Sequence, residues 1–213
     1  MRRALGGLVA ALCLLQLVLG SWNVILLGPS GASQFSATSK APGAIVVTPD
    51  VLNAVNLPVR VTATRRDGGA VRLVVAPTID ARAILAGSAV SNVGDLRYPA
   101  QTLELHRSGT GALADVSTAD VWRLATRQAG TAELVVDQGR GPETVVVTSG
   151  DDKPLKDVTV TLVWADKAWF FEALAAATIG AILAAFAFSD LWQSRAIAAR
   201  RDVTQTPAPE VVA

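Results

Sequence analysis

Two long apolar runs, one near each end, constrain this chain more than any other feature of its sequence. Residues 4–27 contain no charged side chain, and residues 169–192 carry charge only near their ends, at Glu172 and Asp190. A hydrocarbon layer about 30 Å thick is crossed by ~20 helical residues, so each run is long enough to span a bilayer. We therefore expect two transmembrane helices with a separate domain between them.

Arginines beside the two runs predict their orientation. By the positive-inside rule they place residues 1–3 and 193–213 in the cytoplasm and the segment between the helices outside it. The sequence thus predicts a multi-pass protein of the plasma membrane, with the lipid bilayer as its first partner. The composition of the C-terminal segment indicates a short disordered tail. The flanking basic residues are Arg2, Arg3, Arg195, Arg200 and Arg201.

A cleaved signal peptide is the competing interpretation of residues 4–27, with a small-residue site at residues 30–32. The apolar core of a signal peptide usually runs about 7–15 residues, which is shorter than this run. We therefore favour an uncleaved helix or signal anchor. Cys13 lies within it and is expected to act as a small apolar residue.

The second helix carries small residues at a spacing of four, which allows the backbones of two helices to approach closely in lipid. An alanine-rich composition also produces such spacings by chance. The predicted contact is with the first helix, with a second copy or with another membrane protein. The stripe consists of Ala173, Ala177, Ala181 and Ala185, with Gly180 beside it, and the predicted interfacial aromatic residues are Trp22, Trp169 and Trp192.

Between the helices the pattern changes to alternation of apolar and polar residues, which is typical of half-buried strands. Residues 28–40 are rich in Gly, Ser and Thr and are expected to form a flexible spacer. Residues 41–167 are then a mainly β, sandwich-like extracytoplasmic domain with Trp122 and Trp164 as core anchors. The predicted strands are 44–48, 59–64, 71–75, 102–106, 121–126, 132–137, 144–148 and 158–164, with a short helix at 80–86.

Turn-forming residues predict two hairpins in this domain. Asp67-Gly68-Gly69 separates 59–64 from 71–75, and residues 149–154 separate 144–148 from 158–164. Asp-Gly pairs supply the positive φ angles that tight turns need. We expect each pair of neighbouring strands to be hydrogen-bonded together.

Residue patterns that carry chemistry are few. The single His106 has no nucleophile motif around it, and the chain contains no phosphate-binding loop of the Walker type. Basic and acidic side chains balance between residues 28 and 167, which argues against a nucleic-acid partner. We predict no enzymatic activity and no cofactor.

Two local charge clusters leave alternatives open. Asp151 and Asp152, with Asp157 or Asp80, form a calcium candidate, although a solvated turn explains them equally well. The basic pair Arg65–Arg66 is expected to lie on a solvated edge.

The runs at residues 41–52 and 57–63, APGAIVVTPDVL and LPVRVTA, resemble uncharacterised actinobacterial membrane proteins with two helices around an exported β domain. The resemblance implies the same topology and brings no catalytic residues.

Three functions remain as hypotheses. The first is a membrane-anchored, non-enzymatic β module that serves as an accessory or interaction subunit of the cell envelope. The second is a sensor or binding domain for a small envelope ligand. The third, a carboxylate-based hydrolase, is the least supported because it needs a deep acidic cleft, and the domain holds only three glutamates.

Overall fold

The computed structural model describes residues 2–117, 119–137, 139 and 141–204. The chain divides into two compact units, Met1–Gly31 with Asp166–Ala213, and Ala32–Ala165. The helices are α1 (Arg2–Leu27), α2 (Pro49–Leu52), α3 (Thr78–Ile84) and α4 (Lys167–Thr204). The strands are β1 (Ala32–Ser39), β2 (Ala44–Val47), β3 (Val59–Arg65), β4 (Ala70–Pro77), β5 (Val90–Arg97), β6 (Thr102–Ser108), β7 (Leu124–Ala129), β8 (Thr131–Val136), β9 (Glu143–Ser149) and β10 (Val158–Ala165).

The ten strands form one sheet in the order β7-β4-β9-β2-β5-β6-β1-β10-β3-β8. Most neighbours are antiparallel, while β2 with β5 and β1 with β6 are parallel. The two end strands, β7 and β8, are joined through Gly130 and contact each other, so the sheet is nearly closed. The predicted mainly β class, with an apolar helix on either side in the chain, is confirmed at this level.

The main core lies on one face of the sheet. Alternate residues of β3 and β10 are fully buried, in the period of two that the sequence predicts. Trp164 is 1% exposed and makes an edge-to-face contact with Phe35. The aliphatic members include Ile45, Val47, Val59, Val61, Leu73, Val75, Val145, Val147, Val160 and Leu162.

A second apolar cluster covers part of the opposite face. Val74 of β4 and Val146 of β9 are directly opposite in the register, and both pack against residues of α3 and of the segment before β7. Trp122 is half-buried against this cluster and donates its indole N–H to the carbonyl of Val116 at 2.6 Å. Strands β4 and β9 are therefore buried on both faces, which explains their almost continuous apolar sequences.

Residues 28–40 are not the flexible spacer that their composition predicts. Ala32–Ser39 form β1, which lies inside the sheet and pairs with β10 over its full length. The backbone ladder does not depend on side-chain hydropathy, so a strand rich in Ser and Thr is stable between two partners. The Thr38 and Thr159 hydroxyls also meet at 2.8 Å across the two strands.

Both predicted hairpins are wrong in their pairing, although the strands exist. β3 pairs with β10 and β8, whereas β4 pairs with β7 and β9. β9 and β10 likewise lie apart in the sheet. A turn signal fixes a reversal of the chain but not the strand that becomes the neighbour. Strand β5 was not predicted, and β7 begins three residues after the predicted 121–126.

Two described helices are long and apolar enough to cross a membrane, over Gly6–Leu27 and Lys167–Ser189. Helix α4 continues to Thr204, so the first part of the segment predicted as a disordered tail, residues 193–204, is helical. Residues 205–213 lie outside the described residues.

Candidate functional site

A cleft of about 970 Å³ lies on the same face of the sheet as the second apolar cluster. Residues 110–117 and 150–155 form its walls, and side chains from β4, β7 and β9 form its floor. Its size is at the upper end of the range typical for small-molecule sites. Four basic side chains line it, Arg72, Arg107, Arg127 and Lys153, together with three acidic ones, Asp115, Asp151 and Asp152.

Three polar side chains form a row across the cleft floor. Arg72 on β4 is directly opposite Arg127 on β7 and directly opposite Thr148 on β9. Residues that are directly opposite in a sheet project from the same face, with strands about 4.8 Å apart. Two arginines therefore stand side by side, an arrangement that destabilises a sheet when no counter-charge bridges them.

The row is incompletely satisfied among the described residues. Arg127 Nε donates to the carbonyl of Gly150 at 2.6 Å, while Arg72, which is half-buried, has neither a hydrogen bond nor an ion pair there. Thr148 is 1% exposed, and its buried Oγ1 has no hydrogen-bond partner in the same part of the chain. Buried hydroxyls nearly always have a partner, and none of the described protein groups supplies one here.

Asp115, in the cleft lining, is close enough to Arg72 to feel its charge. It accepts hydrogen bonds from the Ser117 hydroxyl at 2.6 Å and from the Ser117 backbone N–H at 2.8 Å. These two bonds, and then the charge of Arg72, lower the pKa of Asp115. The carboxylate is therefore held ionised by its own turn.

Arg65 is buried beside the cleft, which corrects the expected solvated edge, whereas Arg66 is exposed. The Arg65 guanidinium lies 2.7 Å from Asp67 Oδ1 through Nε and donates to Asp151 Oδ1 at 2.9 Å through Nη1. It also donates to Ser149 Oγ at 3.1 Å. A Cβ at Gly69 would lie 2.7 Å from the guanidinium carbon, so this glycine makes room for the arginine.

This cluster shifts the pKa of each of its three charged groups. A hydrogen bond from the Ser149 hydroxyl, followed by one from Arg65, lowers the pKa of Asp151 strongly. The Gly69 backbone N–H, followed by Arg65, lowers the pKa of Asp67. Burial lowers the pKa of Arg65, but the two carboxylates outweigh it and the net shift is upward. All three groups are therefore charged at neutral pH.

The calcium candidate is not assembled as a group. Asp151 is held by Arg65, Asp157 has a positive φ of 50° ahead of β10, and Asp80 lies in the first turn of α3. Within the described ranges, no three His, Cys, Asp or Glu side chains are grouped in a way that could hold a metal ion. His106 is exposed on β6, with Nε2 3.7 Å from a carboxylate oxygen of Glu104.

The helical unit has its own close contact, between α1 and α4. A Cβ at Gly20 would lie 2.6 Å from the backbone N of Ala177, and one at Gly180 would lie 2.7 Å from the backbone N of Leu17. Gly20 is next to Ala177 and Leu17 is next to Gly180, so the contact moves down α1 as it moves up α4 and the helices are antiparallel. Gln16 adds a 3.4 Å hydrogen bond to the Ala176 carbonyl.

The structure places only part of the predicted small-residue stripe in this contact. Ala173, Ala177 and Gly180 are at least partly buried, whereas Ala181 and Ala185 are exposed. A helix turns 100° per residue, so a strict spacing of four drifts 40° at each step and leaves the contact. The buried face instead follows spacings of four and three, through Ala173, Ala177, Gly180, Ala184 and Ala187.

The predicted interfacial tryptophans lie on the same two helices. Trp22 is 50% exposed and Trp192 is 67% exposed, while Trp169 is half-buried in the first turn of α4. The side chains of the five predicted topology arginines, Arg2, Arg3, Arg195, Arg200 and Arg201, lie outside the described residues.

Sequence reasoning missed the cleft and the row on its floor. Arg72 and Arg127 are distant in the sequence, and only the β4–β7 register brings them together. One signal was present, because Arg72 interrupts the otherwise apolar strand AVRLVVAP. A charge within a strand buried on both faces calls for a partner.

No protein-family model matches the chain, and no curated protein matches its sequence.

Proposed function

We propose that this protein is a membrane-anchored, non-enzymatic module of the cell envelope that acts as an accessory or interaction subunit. Its two helices span the plasma membrane, both termini are cytoplasmic, and the β domain, sandwich-like in its packing, lies outside. The observation that carries the proposal is the pair of apolar helices on either side of the β domain in the chain, packed together through Gly20 and Gly180. The resemblance to actinobacterial two-helix membrane proteins is part of the same proposal.

The charges in the cleft support a role other than acid–base hydrolysis. A carboxylate-based hydrolase needs a general acid whose pKa is raised towards neutrality. Asp115 and Asp151 both line the cleft, and local hydrogen bonds lower the pKa of each. Neither side chain is therefore suited to donate a proton at neutral pH.

The exposed side of α4 is where we place the contact with a second copy or another membrane protein. Ala181 and Ala185 lie there, away from α1, and offer small side chains for a close helix contact. In a Cys13→Ala background, Ala185→Cys should give an intermolecular disulfide or a cross-link to a defined partner. A protein that stays strictly monomeric in native membranes would contradict the accessory role.

The topology is tested by labelling introduced cysteines in the same Cys13→Ala background. Lys153→Cys, exposed in the β domain, should react with a membrane-impermeant maleimide in intact cells. Gln193→Cys, on α4 beyond the second apolar run, should react only after permeabilisation. Equal labelling of both positions in intact cells would refute the orientation.

The cleft favours a second function, a binding domain for a small envelope ligand. Its volume of about 970 Å³ and its four basic side chains, which outnumber the three acidic ones, are suited to an organic anion. A thermal-shift screen of the full chain in an uncharged detergent, across sugars, acids and phosphate esters, tests this function. If no compound in that screen stabilises the protein, the ligand-binding function is rejected.

A further inference from the structure

We infer that the cleft floor is an oxyanion site that binds the phosphate group of a small water-soluble phosphate ester, held by Arg72, Arg127 and Thr148. This inference rests on the second function proposed above and adds the ligand class and the residues that bind it. The argument starts from the register, which places the three side chains on one face of adjacent strands.

The first step concerns charge. Arg72 and Arg127 are directly opposite each other, and Asp115, whose pKa the charge of Arg72 helps to lower, is already hydrogen-bonded to its own Ser117. Without an anion the two guanidinium groups repel each other. A phosphate group between them would relieve that repulsion and accept bidentate hydrogen bonds.

The second step concerns the unfilled hydroxyl. Thr148 belongs to the cleft lining, and its buried Oγ1 has no partner among the described residues. A hydroxyl rotates freely to donate, and phosphate offers acceptor oxygens in several directions. The hydroxyl would therefore complete a set of donors that the protein alone leaves incomplete.

The third step concerns competition from the acidic side chains. Asp151, which also lines the cleft, is bound to Arg65, Ser149 and the backbone N–H groups of Ala70 and Lys153. Its charge is therefore already compensated outside the row. Asp152 is also exposed in the cleft lining and offsets one basic charge, whereas Arg107 and Lys153, both exposed on the cleft walls, add two for the rest of an anionic ligand.

The test uses the full chain in dodecyl maltoside micelles, titrated with inorganic phosphate at constant ionic strength by isothermal titration calorimetry. We expect saturable binding that weakens at least tenfold in Arg72→Gln and in Arg127→Gln. Arg66→Gln, an exposed arginine outside the cleft, is the matched control and should bind phosphate normally. The inference would be overturned if phosphate showed no saturable binding up to about 10 mM. It would also be overturned if Arg66→Gln weakened phosphate binding as much as Arg72→Gln and Arg127→Gln do.

A stability measurement separates binding from a merely structural role. Without phosphate, Arg72→Gln and Thr148→Val should raise the melting temperature, because they remove a like-charge contact and an unsatisfied hydroxyl. Both should lose the rise in melting temperature that phosphate gives to the wild type. A variant that is destabilised without phosphate, yet still stabilised by it to the wild-type extent, would show that its side chain is structural and overturn its assignment.

Two further arms identify the source of the phosphate group. Glycerol phosphate should displace inorganic phosphate if the ligand is a soluble ester. Loss of phosphate binding in phosphatidylglycerol nanodiscs, without such displacement, would assign the site to a lipid headgroup and overturn the soluble-ester assignment. If phosphate fails while another compound in the thermal-shift screen binds, this inference is wrong and the ligand-binding function stands.

Discussion

Replacement of Arg65 by methionine isolates the contribution of one buried charge to the β domain. Methionine keeps much of the apolar length of the side chain but removes the guanidinium. The variant breaks the contacts with Asp67, Asp151 and Ser149, which tie the turn between β3 and β4 to the loop after β9. The carboxylates of Asp67 and Asp151 then lose the guanidinium that neutralises both of them.

The expected cost follows from the burial of the two sides of this cluster. Arg65 is 2% exposed, and removal of one partner from a buried ion pair typically costs about 3–5 kcal/mol. The side chains of Asp67 and Asp151 are 45% and 29% exposed, so water replaces part of the lost interaction. We therefore expect the free energy of unfolding to fall by about 2–3 kcal/mol.

The assay is urea unfolding of the full chain in dodecyl maltoside, followed by circular dichroism of the strands and by tryptophan fluorescence. With a slope of roughly 2 kcal/mol/M, the midpoint should fall by about 1 M. Arg66→Met is the control, because Arg66 is the exposed neighbour, and should change stability by less than about 0.5 kcal/mol. Equal midpoints for the two variants would refute the assignment of Arg65 as a stabilising charge.

Three other outcomes are expected. Oxidation of Ala184→Cys should form an intramolecular disulfide with Cys13, because the register set by Gly20 and Gly180 places these two positions opposite each other. Ala185→Cys, on the exposed side of α4, should not form this disulfide. The reverse result on a non-reducing gel would contradict the helix packing. Trp164→Ala should lower the free energy of unfolding in urea by about 3–5 kcal/mol and Trp122→Ala by less, because Trp164 is fully buried and Trp122 is half-buried. Equal losses of stability in the two variants would place the main core elsewhere. The pKa values of Asp67 and Asp151 are lowered in the folded state, so the stability that these carboxylates contribute is present above the unfolded pKa of about 4 and is lost as the pH falls through the folded values. Wild-type stability should therefore drop in acid more steeply than that of the Arg65→Met variant. Parallel pH profiles for the two proteins would refute this link between the pKa shifts and stability.

The apolar helices and most strands could be predicted because their signals are local. A charge-free run has few alternatives to a long apolar helix, and alternation at residues 59–64 identifies a strand wherever its partner lies. β1 was missed because its sequence, ASQFSATS, is mostly polar. β5 contains Gly94 and an irregular register between Val93 and Leu96, which interrupts the alternation.

The pairing of strands and the cleft could not be predicted because both depend on contacts between distant residues. The Asp67-Gly68-Gly69 turn reverses the chain, but β3 and β4 then take partners that lie far away in the sequence. Arg65 continues the buried alternation of Val59, Val61 and Ala63, so its burial had a signal in the sequence, but only the fold brings Asp151 to it.

The position of β1 in the sheet determines how late in synthesis the β domain can be completed. The first strand of the domain to be synthesised pairs along its whole length with β10, the last one, and with β6 through a single bridge. At about 5–20 residues per second, β1 waits on the order of ten seconds for that partner. The sheet can close only when Ala165 has emerged, two residues before α4 begins. Completion of the domain and delivery of the second apolar helix are therefore nearly simultaneous, and a ribosome stalled before β10 would leave an open edge for a chaperone to protect.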